Sequence, residues 1–240
     1  GDFLSSDSLV ALTGDREMHQ FNPKIGITWN PAPGTTLRAA AFRVLKRTLV
    51  RDQTLEPTQV AGFCQFFDDQ SGTDSRLYGA GVDQKFSGGI YGGAEYYFRD
   101  LEFPWISTNT GEAETANWAE HVGRAYLYWT PNSWLALKAD YVYENFKYGV
   151  GFNKNADTVK TQRVPLAANF FHPSGLSMAL KGTFVTQEGD FSTLFDNAFN
   201  HGKSDFWLFD AAVNYRLPQR LGFFTVGAKN LFDKSFKYYD

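Results

Sequence analysis

The stretch Trp118-Ala119-Glu120-His121-Val122-Gly123-Arg124-Ala125-Tyr126-Leu127-Tyr128-Trp129-Thr130-Pro131-Asn132-Ser133-Trp134-Leu135-Ala136-Leu137-Lys138-Ala139-Asp140-Tyr141-Val142-Tyr143-Glu144-Asn145-Phe146-Lys147-Tyr148 decides the fold. In its second half Leu135, Leu137, Ala139, Tyr141 and Tyr143 alternate with Ala136, Lys138, Asp140, Val142 and Glu144. Successive side chains of a strand point to opposite faces, so this is a strand with one apolar and one charged face. The first half does the same: Ala119, Gly123, Ala125, Leu127 and Trp129 alternate with Glu120, Arg124 and Tyr126. Between the halves Thr130-Pro131-Asn132-Ser133 supplies a tight turn, with Pro to fix φ and Asn to bend the chain. The pattern predicts a hairpin of two long strands. Each exceeds the ~5–6 residues of an ordinary strand and approaches the ~9–11 that cross a bilayer when tilted.

Composition agrees with strands of two unlike faces. Aromatics make up 17% of the 240 residues, with 23 Phe, yet the mean hydropathy is −0.36. A transmembrane β-barrel fits both facts, because half of each strand faces lipid, half faces a polar lumen, and aromatics crowd the interfaces. No apolar run approaches ~18 residues, so no transmembrane helix is expected. The net charge of −3 shows no basic footprint, and nucleic acid is not an expected partner. The lone Cys64 excludes a disulfide within the chain and a cysteine metal cluster. The chain opens at Gly1 with no charged or apolar leader, so for an exported protein the expectation is that the true N-terminus is missing or was removed.

The same reading extends along the chain. Residues 1–22 read as a loop, with a short strand around Leu9–Leu12. Lys24–Trp29 and Thr35–Val44 read as strands across Asn30-Pro31-Ala32-Pro33-Gly34, with Leu37, Ala39 and Ala41 on one side and Arg38, Ala40 and Phe42 on the other. Residues 46–75 read as a large loop with an extra strand near Val60–Phe67. Arg76–Phe86 and Ile90–Phe98 pair across Ser87-Gly88-Gly89, and a loop covers residues 100–117. After the central hairpin and a loop at 149–157, Lys160–Phe171 and Leu176–Gln187 pair across His172-Pro173-Ser174-Gly175. A loop at 189–203 precedes Phe206–Leu217 and Gly222–Phe232, joined by Pro218-Gln219-Arg220-Leu221. This predicts about ten antiparallel strands in a single unit, residues 1–240. Short turns alternate strictly with long connections, the asymmetry of outer-membrane barrels with short periplasmic turns and long outer loops. Trp29, Trp129 and Phe171 each precede a Pro turn and read as an aromatic girdle at the periplasmic interface.

Several stretches resemble the C-terminal barrel of TonB-dependent outer-membrane receptors. Phe21-Asn22-Pro23-Lys24-Ile25-Gly26-Ile27-Thr28-Trp29 followed by Thr36-Leu37-Arg38-Ala39-Ala40 resembles one strand pair of that family. Leu55-Glu56-Pro57 resembles a further element, with Thr58 where an acid is expected. Val226-Gly227-Ala228-Lys229-Asn230-Leu231-Phe232-Asp233 resembles its "NLFD" signature in the penultimate strand. Residues 60–105 look more like a subgroup in which such a barrel follows tetratricopeptide repeats. The resemblance implies a barrel of about 22 strands plugged by an N-terminal domain, of which this chain is a fragment lacking the plug, the TonB-binding box and the closing strand. It implies location in the bacterial outer membrane, contact with outer-membrane lipid and lipopolysaccharide, and TonB-dependent uptake of a scarce solute such as a siderophore, cobalamin or glycan. Plug and TonB would be partners only through the part not present here. The alternative is an export or scaffold barrel attached to periplasmic repeats, without ligand uptake.

Enzymatic chemistry is not expected, and no catalytic, cofactor or metal residue is assigned. No Gly-x-Ser-x-Gly elbow appears, and Gly88-Gly89 and Gly92-Gly93 sit at a hairpin rather than before a helix. His19, His121, His172 and His201 lack metal spacing and read as interfacial or solvated, with metal or haem contact by His19 or His201 the alternative. Asp68, Asp69 and Asp74, like Glu112 and Glu114, cluster in outer loops and read as solvated acids, a cation site being the alternative. Arg38, Asp83, Lys85, Glu95, Arg99, Glu120, Arg124, Lys138, Asp140, Glu144, Arg163, Lys181, Asp210, Arg216 and Lys229 are predicted to share the lumen face, either paired across strands or free to hold a plug or guide a solute.

Overall fold

The computed structural model describes residues 20–46, 59–64, 69, 72–106, 113–148, 156–192 and 199–238. Nearly all of it is antiparallel strand. In chain order these are β1 (Lys24–Ala32), β2 (Thr35–Leu45), β3 (Gln59–Val60), β4 (Phe63–Cys64), β5 (Asp74–Lys85), β6 (Ile90–Ile106), β7 (Ala113–Asn132), β8 (Leu135–Lys147), β9 (Ala156–Phe171), β10 (Leu176–Ser192), β11 (Phe199–Arg216) and β12 (Phe223–Ala228). Ten of them form one sheet in the order β1-β2-β5-β6-β7-β8-β9-β10-β11-β12, each paired with the next of the ten along the chain. Among the described residues β1 and β12 are its edges. β3 and β4 make a separate two-stranded hairpin. No helix among the described residues is long and apolar enough to cross a membrane.

Short turns gather at one end of the sheet. Two of them are built alike. In Trp29-Asn30-Pro31-Ala32 and Trp129-Thr130-Pro131-Asn132 the ladder is regular up to the Trp, shifts across the Pro, and resumes at Ala32↔Thr35 and Asn132↔Leu135. Proline has no N–H to give the ladder, so the register breaks there and a bulge forms. The strands therefore run past Pro31 and Pro131, and the reversals fall at Pro33-Gly34, the end of the expected Asn30–Gly34 turn, and at Ser133-Trp134, one residue past the expected Thr130–Ser133 turn. Pro165 interrupts β9 without shifting its register. The β8–β9 ladder lapses between Ala139↔Leu166 and Val142↔Arg163, around Pro165.

At the opposite end the strands outrun their predicted limits. β6 continues to Ile106 and β7 begins at Ala113, so most of the expected 100–117 loop is strand. β9 begins at Ala156, β10 ends at Ser192 and β11 begins at Phe199, which shortens the expected 149–157 and 189–203 loops. The expected strand at Leu9–Leu12 and the Leu55-Glu56-Pro57 element lie outside the described residues. The last strand is shorter than expected. β12 ends at Ala228, and Asn230-Leu231-Phe232-Asp233 forms a turn rather than strand. Asn230 and Asp233 adopt positive φ, which Asn and Asp tolerate best. The Asn230 side chain closes the turn by accepting from the Lys234 N–H at 3.0 Å and donating to its carbonyl at 3.1 Å.

Candidate functional site

Register sorts the side chains onto two unlike faces. On the first face, rows such as Ile27–Ala39–Ala80–Tyr96–Gly123–Tyr143 and Leu166–Gly182–Phe209 join strand to strand. Across all ten strands this band carries no Asp, Glu, Lys or Arg from the turn end up to Ala41, Tyr78, Phe98, Tyr143, Phe184 and Trp207. Its large apolar side chains are exposed, among them Ile27, Tyr78, Leu127, Leu180 and Trp207. Over β7–β11 they wall a groove of about 640 Å³ whose floor is small residues, Ala139, Ala168 and Gly182.

Beyond the band the same face becomes charged at about the same height on each flank. Arg76 reaches Asp74 at 3.4 Å and Glu102 at 3.3 Å, and Arg43 also pairs with Asp74. On the other flank Lys160 meets Glu188 at 2.8 Å, His201 meets Asp190 at 3.2 Å and Lys203 meets Asp205 at 3.6 Å. Burial would raise the Asp74 carboxyl, but hydrogen bonds from Arg43 and Gln20 and the charges of Arg43 and Arg76 hold it below the usual range. The Lys160 ammonium lowers Glu188 in the same way.

The second face reverses the order. Near the turn end it is an ion network that crosses β2, β5, β6, β7 and β8. Arg38 donates to Asp83 at 2.7 Å and to Glu95 at 3.0 Å. Tyr126 donates its hydroxyl to the other oxygen of Asp83. Arg124 donates to Tyr128 at 2.9 Å and to Asp140 at 3.0 Å, and Lys138 lies 3.5 Å from Asp140. Arg163 pairs with Glu144, and Arg99 bridges Glu120 at 3.1 Å and Asp69. Toward the far end this face turns apolar and closes over buried Leu101, Phe103, Ala116, Val159, Val185 and Phe206.

Apart from Lys229, the predicted lumen residues thus do share one face, and most pair across strands. Lys181 stands opposite Asp210 in the β10–β11 register, and Asp210 also accepts the Asn230 N–H at 3.0 Å. Lys85 lies over the Tyr91 ring and Arg216 is exposed at the turn end. Lys229 follows the end of β12. The predicted lumen set leaves out the phenols that complete the network, Tyr126, which the alternation already places beside Glu120 and Arg124, and Tyr128, which the same alternation marks as a second-face residue.

Other candidates do not converge. Trp29 and Trp129 stand on the apolar face near the turns, but register puts Phe171 opposite Ser177 on the polar face. Phe170 occupies the expected place, its ring stacked on Trp134 at 6.4 Å. His121 contacts the Tyr96 hydroxyl at 2.7 Å, His172 turns onto Ser174, and His201 faces Asp190. His19, Asp68 and Glu112 lie outside the described residues, and Asp69, Asp74 and Glu114 stand apart on different elements. Among the described residues no group of three or more His, Cys, Asp or Glu could hold a metal ion. A scan of protein-family profiles finds no match to the chain, and a search of curated proteins finds none.

Proposed function

We propose that the chain is part of the wall of an outer-membrane β-barrel, with its apolar face to lipid and its ion network to the lumen. The observation that carries this is the charge-free, exposed apolar band that crosses all ten strands and gives way to ion pairs. A soluble sheet has no use for such a band, which would leave a large apolar surface in water. On β10 it runs from Leu176 to Phe184, roughly 27 Å at ~3.4 Å per residue, within the ~9–11 residues with which a tilted strand crosses a bilayer. Charges confined to the other face avoid the cost of about 2–4 kcal/mol for Lys or Arg at the lipid midplane.

Within that architecture the motif resemblance supports a receptor that takes up a scarce solute by TonB-dependent transport. Binding would fall to the loop end and energy would come through a plug. The test is uptake by cells carrying the full-length gene, with and without a protonophore. Accumulation of a siderophore, cobalamin or glycan that collapses with the proton gradient and with gene deletion is the expected result. A deletion that instead disturbs surface export or assembly, with every such uptake intact, would favour the scaffold reading.

A further inference from the structure

The β3–β4 hairpin does not extend the sheet; it lies on the polar face. Ala61 and Gly62 both take positive φ, the geometry of a two-residue hairpin turn. Phe63 is 3% exposed and packs with Ala40, Phe42 and Leu77, and Val60, Ala61 and Tyr97 close round them. The wall is cut to receive it. A Cβ on Gly79 would stand 2.6 Å from the Phe63 ring, and one on Gly26 would stand 2.6 Å from Val60 Cγ1. Gly26, Ala40 and Gly79 fall in one register row, so small residues on three adjacent strands make a socket. Arg38 stacks over the Phe63 ring at 5.4 Å and donates to the Ala61 carbonyl at 3.3 Å. Farther along, Asp69 is tied to Arg99, whose side chain is 4% exposed. Gly72 donates to the Lys46 carbonyl and Lys46 to that of Thr73, both at 2.8 Å, which pins the return into β5.

We propose that this hairpin is a built-in constriction, a strap seated on the inner wall by Phe63 that limits the size of solute moving along the polar face. The inference rests on the barrel-wall reading above. The glycine socket and the Arg38 contacts fix the hairpin to the wall, as a constriction of constant size requires.

The test uses the full-length protein in outer membranes, in a Cys64→Ser background. Two cysteine pairs are oxidised mildly: Gly26→Cys with Val60→Cys joins strap to wall, and Ala39→Cys with Ala80→Cys joins β2 to β5. Uptake of hydrophilic saccharides of graded size, with and without a protonophore, is then measured with Phe63→Ala, alone and with the strap pair. Both pairs are expected to cross-link. Phe63→Ala is expected to raise entry of the larger saccharides several-fold, and the strap cross-link to restore the limit. A wall pair that forms while the strap pair does not would overturn the strap alone. Failure of both would overturn the wall reading with it. Seating of the strap with an unchanged size limit in Phe63→Ala would overturn its role as a constriction.

Discussion

Asp140 shows how one residue holds the polar face together. Its carboxylate is nearly buried and meets Arg124, Lys138 and the Tyr128 hydroxyl. Removing it leaves two cations without their shared partner, and such losses cost more than the net worth of the pair. Asp140→Ala should lower unfolding free energy by about 2 kcal/mol, read from denaturant unfolding of the detergent-refolded protein. Asp74 sits beyond the apolar band and carries a pH dependence. Its folded carboxyl is held below the usual range, so its stabilisation is full above the unfolded value near 3.9 and is lost as pH falls through the folded one. Asp74→Asn should cost about 1–2 kcal/mol at neutral pH, and the gap to wild type should close as pH drops below about 4.

The long strands of the sheet read as two segments in opposite phase. In β6, Ala94, Tyr96 and Phe98 supply the apolar face, but past them Asp100 and Glu102 take those positions while Leu101 and Phe103 are buried on the other side. An Arg should therefore be tolerated or rejected by face. Leu180→Arg should destabilise by about 2–4 kcal/mol, whereas Ala179→Arg on the adjoining position should cost under about 1 kcal/mol; thermal or urea unfolding in bilayers distinguishes them. The same inversion explains what the sequence concealed. A period of two fixed each strand's faces in the band, and the charged set was legible because those residues share one parity. Asp100–Ile106 also alternates, but with its apolar residues on the other parity, and it read as loop. Pairings were hidden for a different reason: Arg38 meets Asp83 and Glu95 only because β2 pairs with β5 across the long 46–73 connection. The Gly26–Ala40–Gly79 socket needs the same register to be seen. The Asn230 turn was mistaken for strand because its cap lies in side-chain hydrogen bonds, not in the apolar pattern.

At the scale of the molecule, two faces with opposite vertical order account for the sheet. The charge-free band favours lipid, the ion network favours water, and the apolar end of the polar face gives the buried core its place. Spin labels placed one at a time from Leu176 to Gln187, in membranes holding the protein, test this most directly. An accessibility period of two is expected. Labels at 178, 180, 182 and 184 should collide with oxygen from the bilayer, and those at 177, 179, 181 and 183 with a water-soluble nickel reagent. Equal access of the nickel reagent to both sets would contradict it.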